Sequence, residues 1–195
     1  MYRVNSVALW ISRSEEIIRA ASFIATLFPA AVYHLIAVIP RIRSRTFLTS
    51  LYSHVLNSIA SEAIESVELE LLRRGVQVVK KSVIYGDPLE SVVRYVEKAN
   101  VDLVVAATAI RLSEDEIVEN PVANLVNVVH KPVLIYVAMA KTTEMPSSIA
   151  IISKHRIPIT ALSLAFELAH KGGINITLFL IGKASFKKVG DIYCI

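Results

Sequence analysis

The sequence has a single cysteine, Cys194. One thiol excludes an internal disulfide framework and fits a reducing cytoplasm, and its place near the terminus reads as that of a spectator. No apolar run is long enough to cross a bilayer. Met1-Tyr2-Arg3-Val4-Asn5 is not followed by the apolar stretch and small-residue cleavage site of a signal peptide. A cytoplasmic protein without membrane attachment is therefore expected. No G-x-S-x-G nucleophile elbow accompanies the serines, histidines and aspartates, so no catalytic residue is assigned and the chain is read as a non-enzyme. The five histidines, His34, His54, His130, His155 and His170, show no metal-ligand spacing, and no metal is assigned. Strong net charge is also lacking: +4 suits solubility better than nucleic-acid binding. Arg41, Arg43 and Arg45 cluster, but without interleaved aromatics they read as a solvated or ion-paired loop rather than a nucleic-acid patch.

What the sequence does have is apolar residues, 54% of 195, enough for one full α/β domain with something left over. Short apolar runs of the kind found in strands buried on both faces of a parallel sheet recur along it. Ser6 to Ile11 and Val32 to Ile39 are two. Between them, Ser12-Arg13-Ser14-Glu15 fits a capping box, and Ile17, Ala21, Ile24 and Phe28 form a helical stripe that Pro29 stops. A long helix is predicted from Thr49 to Arg74, with Leu51, Val55, Ile59, Ala63, Val67 and Leu71 on one face and Gly75 at C′. Strand three runs from Val76 to Tyr85. Gly86-Asp87-Pro88 then supplies a turn, an N-cap and a first-turn proline for a helix with Leu89, Val92, Val93 and Val96 inward. Leu103 to Ala107 and Val133 to Val137 are the last two strands of this stretch. The short helix between them starts at Asn120-Pro121, with Val122, Leu125, Val126 and Val129 facing the core.

Asp102-Leu103-Val104-Val105, Pro132-Val133-Leu134-Ile135-Tyr136-Val137 and the Gly-Asp-Pro turn together resemble the universal stress protein family, over roughly Ser6 to Ala138. There a strand D-L-[IV]-V-x-G leads into a loop G-x-x-G, nine residues, G-[ST], and a P-V-L-x-V strand closes the domain. The resemblance implies a loop that binds ATP phosphates through backbone N–H groups. The family's loop glycines fall here on Ala107, Ile110 and Asn120, and its Ser or Thr on Pro121. Ile110 resists positive φ, and Pro121 offers neither N–H nor hydroxyl. The loop carries Glu114, Asp115, Glu116 and Glu119 instead, which would repel a triphosphate. The family's aspartate after strand one falls on Ser12. No cofactor is therefore expected, ATP included, and the positions bordering the altered crevice are Ser12, Arg13, Ile39, Arg41, Ala107, Ile110, Asn120 and Pro121. The acidic loop is expected to pair with the arginine loop and partly close the crevice.

Lys141 to Ser147 reads as a linker, after which the pattern restarts. Ser148 to Ser153 is a strand. Pro158 to Lys171 is a helix with Ala161, Leu162, Ala165, Leu168 and Ala169 inward, ended by Gly172-Gly173. Ile174 to Ile181 is a second strand. This resembles the opening of a second domain of the same family, so residues 1–140 are read as one domain, 141–147 as a linker and 148–195 as a partial β-α-β repeat. The expected fold is a Rossmann-like open parallel five-stranded sheet, order 3-2-1-4-5, with helices on both faces. The expected function is that of a non-catalytic universal-stress-type protein that acts through dimerisation or protein contacts. The alternative is a small-molecule binding module holding an adenine nucleotide or another anion in the altered crevice. In the resembled family the last strand often pairs across a two-fold axis, so a homodimer through Val133, Leu134, Ile135, Tyr136 and Val137 is expected.

Overall fold

The computed structural model describes residues 3–11, 14–41, 47–77, 79–109, 121–138, 148–153, 159–180, 187–189 and 192–194. The chain forms two compact units, one of Val4–Thr142 and one of Thr143–Ile195 together with Met1–Arg3.

The larger unit is a parallel sheet of β1 (Ser6–Ile11), β2 (Val32–Ile39), β3 (Val79–Tyr85), β4 (Leu103–Ala109) and β5 (Val133–Ala138), in the order β3-β2-β1-β4-β5. The expected order and the bounds of β1 and β2 agree with the structure. Five buried residues in a row, Val7 to Ile11, show why β1 is central: both faces are covered, so alternation disappears. On one face lie α1 (Ser14–Leu27) and α2 (Phe47–Arg73), on the other α3 (Pro88–Ala99) and α4 (Pro121–Val128). The α1 stripe Ile17, Ala21, Ile24 and Phe28 is buried as expected. Beneath α3 and α4, Ala8, Trp10, Ile36, Val104 and Ala106 meet Val92, Val96, Leu125 and Val129.

Three devices fix the connections. Asp87 caps α3 by accepting from the Glu90 N–H at 2.9 Å, with Pro88 in the first helical position. Gly75, at φ 84°, closes α2 with a pair of bonds from the N–H groups of Gly75 and Val76 to the carbonyls of Leu72 and Leu71, a Schellman ending. That ending occupies the residues just after the helix, so β3 starts at Val79 rather than at Val76. At the amino end of the sheet, Asp102 accepts from the N–H groups of Asn5 and Ser6 at 2.9 and 3.0 Å and from the Ser6 hydroxyl at 3.0 Å. This clasps the entries of β1 and β4.

The predicted stripe of α2 is wrong in its first half. Val67 and Leu71 are fully buried, but Leu51, Val55 and Ile59 are 55%, 47% and 56% exposed. The cause is arithmetic. A helix turns about 100° per residue, so a constant spacing of four advances about 40° per step, and six members sweep about 200°. The buried face is made by Ile64, Val67 and Leu71, with Leu56, Ala60 and Ala63 half-buried. On α4, Val126 is likewise exposed where burial was expected, while Leu125, and Val129 just past the helix end, are buried; the side chain of Val122 lies outside the described residues.

The smaller unit has β6 (Ser148–Ser153) paired in parallel with β7 (Asn175–Leu180) through α5 (Ile159–Gly172). Leu164, Ala165 and Leu168 are its buried helical residues. Ala161, Leu162 and Ala169 are half-buried, and Leu164 was missing from the predicted stripe. Gly173, at φ 62°, ends α5. An antiparallel pair, β8 (Lys187–Val189) and β9 (Ile192–Cys194), follows in a stretch for which the sequence predicted no pattern.

Candidate functional site

In an open α/β sheet, ligands collect beyond the carboxyl ends of the strands, where the strand order reverses. In the larger unit that reversal lies between β1 and β4. A cavity of about 420 Å³ opens one strand over, at the ends of β1 and β2 on the face covered by α2. Its floor is Ile11, Ala37 and Ile39, whose alternate positions point to that face. Its wall is Leu56, Ala60 and Ala63 of α2, three residues within about 60° of one another around the helix. Small alanines at two of the three positions leave the space open.

The polar groups on this cavity are few. Glu62 accepts from the Ser58 hydroxyl at 3.1 Å, and the Ser66 hydroxyl donates to the Glu62 carbonyl at 2.8 Å. Among the described residues lining it, Glu62 is the one that carries a formal charge, and the rest of the lining is largely apolar. Asn57, one residue from the wall, accepts a short hydrogen bond from the Tyr85 hydroxyl at the end of β3, and its amide donates to the Ser53 carbonyl at 2.8 Å. The Tyr85 bond ties the wall of the cavity to the sheet.

The residues singled out in the sequence are brought together only in part. Ile39 is buried and lies in the cavity floor, next to Pro40. Arg41 is exposed, just past the end of β2. Ala107 is buried inside β4, opposite Tyr136, because the strand runs on to Ala109. Pro121 opens α4. Ser12, Arg13, Ile110 and Asn120 lie outside the described residues, as do Arg43, Arg45 and the acidic loop, and with them the expected loop pairing. Leu56, Ala60, Ala63, Glu62 and Ser66 went unnoticed as site residues. The signal that would have found them is the angular position of residues 56, 60 and 63 on one side of α2.

A second polar cluster sits on the opposite face. His34 of β2 is buried, with Nδ1 3.0 Å from the Tyr95 hydroxyl of α3, the rings edge-on at 5.8 Å, and the Ser82 hydroxyl 3.4 Å from the same oxygen. Burial, and then the positive charge of its β3 register partner Lys80, hold the imidazole below the usual histidine range. The cluster pins α3 to β2 and β3 and lies away from the cavity. No group of three or more His, Cys, Asp or Glu side chains that could hold a metal ion occurs among the described residues. No helix among them is long and apolar enough to cross a membrane.

Comparison with known proteins gives a consistent result. The family model described as the universal stress protein family matches residues 11–136. No curated protein matches the chain significantly. Among solved structures, a universal stress protein in complex with cAMP superposes with a TM-score of 0.55 at 14% identity, covering 68% of this chain and 96% of its own. UspA from Lactobacillus plantarum superposes with 0.56 at 15% identity, covering 69% and 98%. A universal stress protein from Archaeoglobus fulgidus reaches 0.65 at 15% identity, covering 91% of this chain but only 66% of its own length.

Proposed function

Because the chain belongs to the universal stress protein family, we propose that it is a non-catalytic member that does not bind ATP through the family's phosphate loop and acts by protein contacts as a homodimer. The observation that carries this reading is the start of α4 at Pro121. The position that the resemblance assigns to a phosphate-binding Ser or Thr is a first helical residue with no N–H and no hydroxyl.

The contrast between the two sheet edges supports dimerisation through β5. The outer strand β3 carries Lys80 and Lys81, and Lys81 is bonded to Glu68 at 2.9 Å, a charged edge of the kind that resists further pairing. The other outer strand, β5, reads Val-Leu-Ile-Tyr-Val-Ala without a charge, with Val133, Leu134 and Ile135 half-buried and Tyr136 packed on Phe23 at 6.3 Å. A dimer that continues the sheet across β5 buries that edge. The smaller unit is read as a partial second domain of the family. Its β-α-β order, and the 91% of this chain that superposes on the longer Archaeoglobus fulgidus protein, support that reading.

The cavity favours a second reading, a small-molecule module whose ligand inserts an apolar moiety under α2. Calorimetric titration with magnesium ATP, combined with mass spectrometry of the denatured purified protein, separates the two. The first reading expects no saturable micromolar binding and no co-purified nucleotide, and expects Ile135→Lys to convert a dimer into a monomer in light scattering. Saturable ATP binding overturns it in favour of the second. A wild-type monomer at micromolar concentration overturns the dimer.

A further inference from the structure

We propose that the outer edge of β6 is a docking surface for an extended segment of another polypeptide, one that begins with an aspartate, continues in apolar residues, and pairs in parallel with β6 as β4 pairs with β1. The smaller unit repeats the opening of the larger one in length and in register. β1 and β6 have six residues each, and α1 and α5 have fourteen each. In both units the first residue of the first strand lies beside the first residue of the next, Ser6 beside Val32 and Ser148 beside Asn175. Ser148 therefore stands where Ser6 stands. β1 has a second parallel neighbour, β4, which places Val7 beside Leu103 and Leu9 beside Val105. Among the described residues β6 has a strand on one edge only, and β9 lies against β7.

The difference shows in exposure. Val7 and Leu9 are fully buried, whereas Ile149 and Ile151, at the same positions of β6, are half-buried, and Ser148 is exposed. β6 reads Ser-Ile-Ala-Ile-Ile-Ser, without the charge or proline that protects a strand edge. Its outward N–H and carbonyl groups can take a further strand by ladder bonds, which supply affinity to any extended segment. The aspartate supplies direction and register, and the larger unit shows how. There Asp102 accepts from the N–H and the hydroxyl of Ser6 at 3.0 Å each, and its own N–H donates to the Ser6 carbonyl at 3.0 Å. Ser148 carries the same three groups. A segment with an aspartate beside Ser148 and β-branched or leucine side chains beside Ile149 and Ile151 reproduces the β1–β4 contact. This inference deepens the reading of a protein that acts by contacts and rests on the smaller unit being a partial repeat; it draws on neither β5 nor the phosphate loop.

The probe is a peptide of the sequence of residues 101–108, Val-Asp-Leu-Val-Val-Ala-Ala-Thr, with a lysine pair and a fluorescein at its carboxyl end. Titrating the full chain into it should give saturable fluorescence anisotropy below about 1 mM. Asp102→Ala in the peptide should weaken binding about tenfold, and Ser148→Ala in the protein about threefold. In the larger unit Val104 gives its N–H to the Pro132 carbonyl on the β5 side at 2.9 Å, so Leu103 and Val105 turn theirs toward β1. Methylating the peptide nitrogens of Leu103 and Val105 should therefore abolish binding, while methylating that of Val104 should leave it within about threefold; this pair of peptides needs no change in the protein. No saturable binding overturns the proposal, whether the edge is filled by a second copy or by something else. Binding that tolerates methylation at Leu103 and Val105 overturns the ladder, and binding indifferent to both Asp102→Ala and Ser148→Ala overturns the aspartate. The ATP titration and the light scattering above keep their own outcomes in each case.

Discussion

Replacing Asp102 by alanine removes one acceptor oxygen that receives two backbone N–H groups and a hydroxyl at 2.9–3.0 Å. Hydrogen bonds to a charged group contribute about 1.5–3 kcal/mol each, so three would sum to about 4–9 kcal/mol if nothing replaced them. Two features of the site reduce that sum. Asn5 is exposed, so water takes over its N–H, and the Ser6 hydroxyl can rotate to a new partner. What is left is chiefly the half-buried Ser6 N–H, together with the loss of the charge. We therefore expect Asp102→Ala to destabilise the larger unit by about 2–3 kcal/mol, and Asp102→Asn, which keeps a neutral acceptor, by about half as much. Trp10, the only tryptophan, is buried on β1 four residues from Ser6 and reports on this unit through its fluorescence. With a urea m value of about 2 kcal/mol/M, the alanine variant should lower the midpoint by about 1 M or slightly more, with m unchanged. The clasp lies at the amino ends of the strands, opposite the cavity, so ligand binding and assembly should be unaffected. A loss below about 0.5 kcal/mol, or equal losses for alanine and asparagine, would refute the argument.

Other consequences follow from the packing. His34 is held below its ordinary pKa in the folded state, so its contribution to stability is present above about pH 6.5 and is lost as pH falls from there toward the folded value; His34→Asn should flatten the urea midpoint between pH 7.5 and 5.5. Leu71→Ala should cost about 2–4 kcal/mol in the same assay, whereas Val55→Ala should stay within about 0.5 kcal/mol. Asp87→Ala removes the cap of α3 and should cost about 1 kcal/mol, with amide exchange accelerated in its first turn.

The fold was legible because its signals were local and short. A central parallel strand such as β1 or β2 is apolar at nearly every residue, and no other common element of that length looks the same. The start of α3 was legible from Asp87-Pro88, since a side-chain cap and a fixed φ act within four residues and need no tertiary context. Where a turn took residues from a strand, as the Schellman ending of α2 did from β3, the sequence still read as one apolar run. The run says which residues prefer burial, and not which of them the preceding helix has already used.

The site was less legible because it depends on angles accumulated along a helix. Over two turns, a spacing of four and the true period of 3.6 differ by about 80°, already enough to mistake a wall residue for a surface one. Over the 27 residues of α2 the difference sent Leu51 and Val55 outward, left Ile59 at the exposed rim of the cavity, and turned Leu56 and Ala60 toward the sheet. The same rotation therefore has two results. It opens a cavity lined with alanine where a stripe of larger residues would have filled the space. It also leaves Leu51, Tyr52 and Val55 exposed on the outside of the helix. Neither result is a motif, and both follow from the same residues once the helix is assigned its bounds. A resemblance carried by strands and turns identifies the sheet without reaching either feature, because both are properties of α2, which contributes no motif to the resemblance.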